Sequence, residues 1–393
     1  MTTPNLFPLN LLTGLLALTL AASAEPLKVY ILAGQSNMEG HAQTRTLPAV
    51  AKDPSTKGLY DKMVGADGKA KVHEDIPISY AYGNFSGEMV GRKHGKLSAG
   101  WGSQHHIGTG KIGPELTFGI TMHEIHGEPI LLIKNAWGGK SLMVDFRPPS
   151  AGPLPEDHKH KSEAGAYYQG MMDHVKDVLA DPKKVYPEYD AAEGYEIAGF
   201  VWFQGFNDLV GPYPKANPDD PKSRTKDYSD YSNLLATFIR DVRKDLDAPK
   251  LPFVIGALGV DGKDANDNTV AFREAMAAPA KMDEFQGNVG VVYSHEFWPG
   301  DVAAIDRKVY EIQRGFHKRK QQIKKTLEGD EKKEAYAALN AEIEAAIDEA
   351  LSEEEKWLLE NGKSNRGFHY LGSAKFFAQL GEAFAKKMAE LEK

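Results

Sequence analysis

The feature that most constrains the fold is a set of five short, nearly continuous apolar runs, separated by longer stretches with helical periodicity. Parallel strands that are covered on both faces have this composition, because neither face meets water. Alternation of such strands with helices predicts an α/β fold with a doubly wound, parallel sheet. In that fold, ligands bind beyond the carboxyl ends of the strands. The predicted strands cover residues 27–33, 129–135, 196–203, 251–258 and 288–293.

Helices are predicted between these strands, and two segments interrupt the alternation. Residues 43–112 are rich in Gly, Lys and His and have no long period, so we interpret them as an insertion that walls the site. Residues 303–361 are charged, with apolar residues four apart on one face, which predicts a helical hairpin that turns at Gly329-Asp330. The remaining helices are predicted at residues 113–126, 164–179, 228–246, 268–281 and 371–393.

Residues 1–24 have the features of a signal peptide. The apolar run at residues 11–24 is too short to span a bilayer, and Ala22-Ser23-Ala24 provides the small residues of a cleavage site. We therefore expect cleavage near Ala24, a secreted or periplasmic protein, and one domain over residues 25–393. An apolar N-terminal helix packed on that domain is the alternative interpretation.

Composition excludes several functions. The formal net charge of −8 gives no reason to expect a nucleic acid or an anionic membrane as partner. The absence of cysteine excludes a thiol nucleophile and thiolate metal ligands. Gly139-Lys140-Ser141 resembles the end of a phosphate-binding loop, but Lys134 stands where that motif needs Gly. No cofactor or metal is expected, and the oligomeric state is left open.

The first apolar run ends directly in Gly34-Gln35-Ser36-Asn37-Met38. A serine that follows a strand and begins a helix lies beside backbone N–H groups that can stabilise an oxyanion. Ser36 is therefore a candidate nucleophile, which would need a base to take its proton. The motif differs from the G-x-S-x-G nucleophile elbow, because Met38 occupies the position of the final Gly. A simple helix cap is the alternative interpretation.

Three later segments place polar groups where a predicted strand ends or a predicted helix begins, as at Ser36. The Gly138-Gly139 turn can offer a bare backbone N–H, although an ordinary glycine turn has the same sequence. Gln204 or Asn207 can donate a side-chain N–H to an oxyanion, although a polar turn would also explain them. His369 precedes the last predicted helix and is the candidate base for Ser36, although a lone histidine is usually structural.

Together these motifs resemble those of the SGNH-type hydrolases, and within them the sialate O-acetylesterase-like group that includes family six of the carbohydrate esterases. The resemblance implies a three-layer α/β/α domain with a parallel, flavodoxin-like sheet of five strands. It implies that Ser36 is the nucleophile and His369 the general base. It also implies an oxyanion hole formed by the backbone N–H groups of Ser36 and Gly139 and a side-chain amide, for which Gln204 is favoured and Asn207 is the alternative. The matching motifs lie at residues 34–38, 112–119, 137–142, 202–208 and 368–372.

Two positions depart from the pattern of that group. Phe206 stands where many members have Glu, and Arg366 stands where an Asp is usual, three residues before His369. Because an arginine cannot stabilise an imidazolium, His369 is oriented either by a backbone carbonyl or an amide, as in a Ser–His dyad, or by a carboxylate from elsewhere. The candidate carboxylates are Asp208, Asp145 and Glu115.

The resemblance implies a serine esterase that removes O-acetyl groups from carbohydrates, either acetylated polysaccharides or sialates, through an acyl-enzyme. A non-catalytic carbohydrate-binding protein on the same fold is the alternative, with Trp101 and Trp298 as exposed aromatic contacts. Metal-dependent hydrolysis by His105-His106 and His158–His160 is a third hypothesis, and the sequence lacks the H-E-x-x-H motif that would favour it.

Overall fold

A seven-stranded sheet forms the centre of the protein. The computed structural model describes residues 25–104, 110–220 and 222–393, so the predicted signal peptide and His105-His106 lie outside the described residues. The strand order is β4-β3-β6-β1-β7-β8-β9, and all strands are parallel except the edge strand β4. The strands are β1 Leu27–Gly34, β2 Ala42–Gln43, β3 His73–Gly83, β4 Met89–Leu97, β5 Lys111–Ile112, β6 Ile130–Ala136, β7 Tyr195–Phe203, β8 Phe253–Ala257 and β9 Val289–Tyr293, with β2 and β5 forming a separate antiparallel pair.

The mainly parallel α/β sheet is confirmed, but the predicted five-stranded flavodoxin-like layout is not. All five predicted strands are present, as β1, β6, β7, β8 and β9, and the central one pairs Ile31 with Ile133 and Phe200. The two additional strands, β3 and β4, come from the segment interpreted as an insertion. Their apolar signal is weak because β4 is a largely solvent-facing edge strand and β3 begins with charged, exposed residues.

Helices cover both faces of the sheet. Gly199 faces Met388 of the last helix, whereas its neighbour Phe200 packs on Phe238, and successive strand residues point to opposite faces. The helices are α1 Ser36–Glu39, α2 Leu47–Lys52, α3 Lys57–Met63, α4 Glu115–His126, α5 Ala166–Ala180, α6 Phe206–Leu209, α7 Ser229–Asp245, α8 Asp267–Ala277, α9 Gly300–Gly315, α10 His317–Thr326, α11 Gly329–Ala350, α12 Glu353–Gly362 and α13 Ala374–Leu391. Within the described part of the chain, no helix has both the length and the apolar character needed to cross a bilayer.

The charged segment after β9 folds into helices α9 to α12. Arg319 of α10 pairs with Glu342 of α11, and Lys332 donates to the carbonyl of Lys324, so α10 and α11 run antiparallel. The turn between them precedes the predicted Gly329-Asp330, because α11 already begins at Gly329. The apolar stripe of α11 lies on one face, with Leu339 and Leu351 buried and Ile343 and Ile347 half-buried.

A buried histidine joins α5 to the sheet. His174 contacts Ser79 Oγ through Nε2 and Asn135 Oδ1 through Nδ1, each at 2.8 Å. A serine, a histidine and an asparagine in contact resemble a catalytic site. Ser79, Asn135 and His174 are at most 4% exposed, however, so no substrate reaches them. Burial lowers the pKa of His174 from 6.5 to about 3. The imidazole therefore stays neutral and serves packing.

This histidine makes the fold sensitive to acid. As the pH falls from 6.5 toward 3, the unfolded chain binds a proton that the folded chain excludes, so the free energy of unfolding declines by up to about 1.4 kcal/mol per pH unit. Asp208, whose pKa is raised by burial from 3.8 to about 6, has the opposite effect. Between these two pH values the folded chain binds a proton that the unfolded chain releases, so this group raises the free energy of unfolding as the pH falls. His174→Gln should flatten the decline, measured by urea unfolding between pH 6.5 and 4. The same substitution at exposed His94 is the control, and equal slopes in all three proteins would contradict the assignment.

Candidate active site

A cleft of about 670 Å³ lies where β1, β6 and β7 end. Ser36, Gly139, Asn207 and His369, which lie far apart in the sequence, all line it. Gln204 and Asp208 are 1% exposed and lie beneath its wall. The remaining lining residues are Gln35, Glu39, His41, Phe85, Ser86, Lys111, Gly138, Phe206, Asn365, Arg366 and Phe368.

The turn that carries Ser36 is fixed by two close backbone approaches. A Cβ on Gly34 would lie 2.1 Å from the carbonyl oxygen of Phe203, so only glycine lets β1 and β7 end side by side here. Gly40 closes the short helix α1 with a φ of +85°, and a Cβ there would lie 2.1 Å from Cα of Gly113. Ser36 is 8% exposed and begins α1 at the floor of the cleft.

A buried lysine ammonium holds α1 from below. Lys134 Nζ donates to the backbone carbonyls of Glu39 and Trp101 and to Glu115 Oε2, each at 2.8 Å. The side chains of Lys134 and Glu115 are fully buried, and the ammonium also lies 4.5 Å from the centroid of the Tyr80 ring. Burial lowers the pKa of Lys134, and the carboxylate of Glu115 opposes that shift. Glu115 thus serves this ion pair.

A chain of amides sets the direction of the Asn207 side chain. Gln35 Oε1 accepts the backbone N–H of Gly205 at 3.0 Å, which identifies that atom as oxygen because only an acceptor fits there. Gln35 Nε2 then donates to Asn207 Oδ1, also at 3.0 Å. The amino group of Asn207 therefore points away from Gln35, and Asn207 itself lines the cleft.

Gln204 has a different environment. Its amino nitrogen lies 3.1 Å from Gln35 Oε1, 3.0 Å from the carbonyl of Lys140 and 2.6 Å from Asp208 Oδ2, so its two hydrogens are shared among three acceptors. Its carbonyl oxygen accepts from the hydroxyl of Tyr231 at 3.2 Å. Both amide hydrogens are thus in use, so the geometry favours Asn207 over Gln204 as the third oxyanion donor, contrary to the preference drawn from the sequence.

The carboxylates proposed as triad acid support the loop after Gly139. Asp208 accepts the backbone N–H groups of Leu142 and Met143 at 2.8 and 3.0 Å, which turns it toward that loop. Asp145 accepts the N–H and hydroxyl of Ser141 at 2.7 and 2.9 Å. Burial raises the pKa of Asp208 to about 6, although its hydrogen bonds lower it. Asp208 and Asp145 therefore hold the loop after Gly139, whereas Glu115 pairs with Lys134 and accepts the backbone N–H of Gly113.

An amide orients His369. Asn365 Oδ1 accepts the backbone N–H of Arg366 at 2.8 Å, which fixes it as oxygen, and it lies 3.1 Å from His369 Nδ1. Nδ1 must then carry a proton, so the neutral imidazole keeps its lone pair on Nε2. The ring also stacks on His41 with centroids 3.9 Å apart. Of the alternatives left open by the sequence, the structure has the amide.

The backbone after His369 adopts an uncommon conformation. Tyr370 and Leu371 have φ values of 51° and 58°, which non-glycine residues rarely adopt. The hydroxyl of Tyr370 accepts the N–H of Gly259 and contacts Ser294 Oγ, both at 2.8 Å, and its ring stacks on Phe376. These contacts anchor the turn to residues that follow β8 and β9. The anchored turn sets the place of His369.

The profile of a known family matches residues 26–297 of the chain, and its description is carbohydrate esterase, sialic acid-specific acetylesterase. The chain belongs to this family. Membership makes the protein a carboxylic-ester hydrolase, as the resemblance implied. The matched residues include Ser36, Gly139 and Asn207 and end before Asn365 and His369.

Three solved structures are similar to this esterase at low sequence identity. A protein from Arabidopsis thaliana is 18% identical, covering 68% of this chain and 86% of its own, with a TM-score of 0.38. A carbohydrate acetylesterase from Xanthomonas citri is 15% identical, covering 67% and 49%, with a TM-score of 0.40. An acetyl xylan esterase from the rumen bacterium Butyrivibrio proteoclasticus is 13% identical, covering 68% and 55%, with a TM-score of 0.27. No curated protein matches the chain.

The structure gives less support to the hypotheses of a non-catalytic binding protein and of metal-dependent hydrolysis. Trp101 is 9% exposed and donates to the carbonyl of Lys96, so the expectation of an exposed binding aromatic is wrong at that position. Trp298 is half-buried. Outside residues 1–24, 105–109 and 221, the structure contains no group of three or more side chains able to hold a metal ion.

Several residues that hold the site escaped the sequence interpretation. Gln35 lies inside the nucleophile motif, but the sequence assigns it no role of its own. Lys134 was considered only as a mismatch to a phosphate loop, although an ionisable residue inside a buried strand is itself a signal of a specific buried partner. Asn365 and Tyr370 left no comparable signal, because their roles depend on the path of the turn around His369.

Loss of the buried ammonium should destabilise the protein strongly. Lys134→Met leaves Glu115 as an uncompensated buried carboxylate, so we expect the free energy of unfolding to fall by about 3–5 kcal/mol. Arg240→Met, which breaks an ion pair with Glu284 whose side chains are 47% and 48% exposed, should cost less than about 1 kcal/mol. Urea unfolding measures both. Similar losses in the two variants would contradict a special role for Lys134.

Proposed function

We propose that this protein is a secreted serine esterase that removes O-acetyl groups from carbohydrates through an acyl-enzyme. The observation that carries the proposal is the meeting of Ser36, Gly139, Asn207 and His369 in one cleft, with Nδ1 of His369 held by Asn365. Membership of a family of carbohydrate esterases supports the substrate class. The apolar run and small residues before Glu25 support secretion.

The proposed reaction begins with attack of Ser36 Oγ on the acetyl carbonyl, while His369 Nε2 takes the hydroxyl proton. The backbone N–H groups of Ser36 and Gly139 and the side-chain amino group of Asn207 stabilise the oxyanion. His369 then gives the proton to the leaving sugar hydroxyl. Water, deprotonated by the same imidazole, attacks the acetyl-enzyme and releases acetate.

Asn365 has a limited task in this scheme. Its amide oxygen accepts the Nδ1 proton and so keeps the imidazole in the tautomer that acts as a base. An amide carries no net charge, so it stabilises the imidazolium less than a carboxylate would. The proposed centre is a Ser–His dyad with an orienting amide.

Removal of the proposed nucleophile tests the function directly. Ser36→Ala should lower acetate release from acetylated xylan and from acetylated sialic acid by at least about a thousandfold, with an unchanged circular dichroism spectrum. A serine-directed organophosphorus probe should label the wild type and not the variant. Substantial hydrolysis by Ser36→Ala would remove Ser36 from this role, and a wild type that neither labels nor releases acetate would favour the non-catalytic binding protein.

The two candidate amides can be separated by kinetics. Asn207→Ala should lower kcat by about a hundred- to a thousandfold with little change in Tm, because an oxyanion donor is lost at a half-buried position. Gln204→Ala should instead lower Tm, because a buried hub of four hydrogen bonds is lost. Exposed Asn233→Ala is the control for amide removal. An Asn207→Ala enzyme with unchanged kcat would exclude Asn207 as donor.

A further inference from the structure

The hairpin between β3 and β4 places an exposed aromatic ring at the cleft. Phe85 is 77% exposed, the largest exposed fraction among the large hydrophobic residues in the described part of the chain, and it lines the cleft that contains Ser36. A large apolar side chain in water is informative when it borders a binding site. The serine chemistry described above makes no use of Phe85.

The tip that carries Phe85 is built to hold a fixed position. Asn84 Oδ1 accepts the N–H groups of Ser86 and Glu88 at 2.9 and 3.0 Å, and Tyr167 donates to the carbonyl of Gly87 at 2.9 Å. A Cβ on Gly87 would lie 1.9 Å from the carbonyl oxygen of Gly138. The tip therefore rests directly on the turn that provides the proposed oxyanion donor of Gly139. The backbone position of Phe85 is therefore set relative to Gly139 before any ligand binds.

Two further phenylalanines line the cleft beside the reactive groups. The rings of Phe206 and Phe368 have centroids 5.6 Å apart, and Phe368 lies 4.4 Å from the His369 ring. Phe368 is 37% exposed and Phe206 is half-buried. Phe206 directly precedes Asn207, so this pair lies next to both the proposed oxyanion donor and the proposed base. The leaving group must lie here, because His369 returns the proton to it.

We propose that Phe85, Phe206 and Phe368 form an aromatic clamp that binds the pyranose ring carrying the acetyl ester. This inference rests on the proposed function and names the occupant of the leaving-group side. The C–H faces of a pyranose are apolar and pack on aromatic rings, while its hydroxyls stay in water. The cleft of about 670 Å³ is within the usual range for small-molecule sites and far exceeds the need of an acetyl group. The clamp selects cyclic sugar esters over ring-free alcohol esters.

The test compares two acetate esters with and without a sugar ring. The probes are methyl mono-O-acetyl-xylopyranoside and ethyl acetate, with KM and kcat obtained from acetate release. Phe85→Ala and Phe368→Ala should each raise KM for the sugar ester by about fivefold or more relative to KM for ethyl acetate. Phe85→Tyr, which keeps the ring, should restore the KM of the wild type. Tyr310→Ala removes a 59% exposed ring on α9 and is the matched control.

The outcomes separate the clamp from the reaction. Hydrolysis of both esters by the wild type, with an unchanged KM ratio in the two alanine variants, would overturn the clamp and leave the serine esterase standing. If the alanine variants raise KM for ethyl butyrate but not for the sugar ester, the effect depends on acyl length. That result would overturn the clamp and indicate that these rings bind the acyl group. A wild type that hydrolyses neither acetate would overturn the proposed function and the clamp together.

Discussion

The interaction on which the site depends is the burial of one ammonium group. Lys134 lies in the middle of the apolar strand β6, where an unpaired charge would be prohibitively costly, and three acceptors surround it. Those acceptors belong to the end of α1, to the loop at Trp101 and to the start of α4. A single side chain thus joins the helix that carries Ser36 to two other segments and to the sheet. Glu39 and Glu115, which both accept from this ammonium, flank the close approach of Gly40 to Gly113.

Backbone N–H groups then decide how the polar side chains point. The N–H of Gly205 fixes Gln35, which in turn directs the amino group of Asn207 away from itself. The N–H of Arg366 fixes Asn365, which in turn sets the tautomer of His369. Asn207 and His369 are therefore each oriented through one amide whose oxygen is anchored to the main chain. In the proposed mechanism, His369 is oriented by the amide of Asn365, and Arg366 contributes its backbone N–H to that orientation.

Residue patterns predict the core of this fold well and its edge poorly. All five predicted strands follow from continuous apolar runs, whereas the sequence pattern does not predict β3 and β4. The edge strand β4 is largely exposed and carries Gly, Lys and His, and β3 begins with charged, exposed residues. The meeting of Ser36, Gly139, Asn207 and His369 in one cleft can be predicted, because polar residues at strand ends and beside a helix converge in such a sheet. The choice between Gln204 and Asn207 could not be made from sequence, since it depends on which acceptors surround each amide. The role of Asn365 depends on the left-handed turn at Tyr370 and Leu371, which no local pattern predicts.

The proposed base, His369, is held in the cleft by the segments that interrupt the α/β alternation. His369 and Asn365 follow helices α9 to α12, beyond the part of the chain that matches the family profile. Arg45 donates to the carbonyls of Glu360 and Lys363, and the hydroxyl of Ser364 accepts the N–H of Gln43. Residues 43–45 are therefore hydrogen-bonded to the end of α12 and to the start of the turn that carries His369. These hydrogen bonds fix one side of that turn, and the contacts of Tyr370 fix the other. The position of His369 therefore depends on both segments that interrupt the alternation and on the sheet.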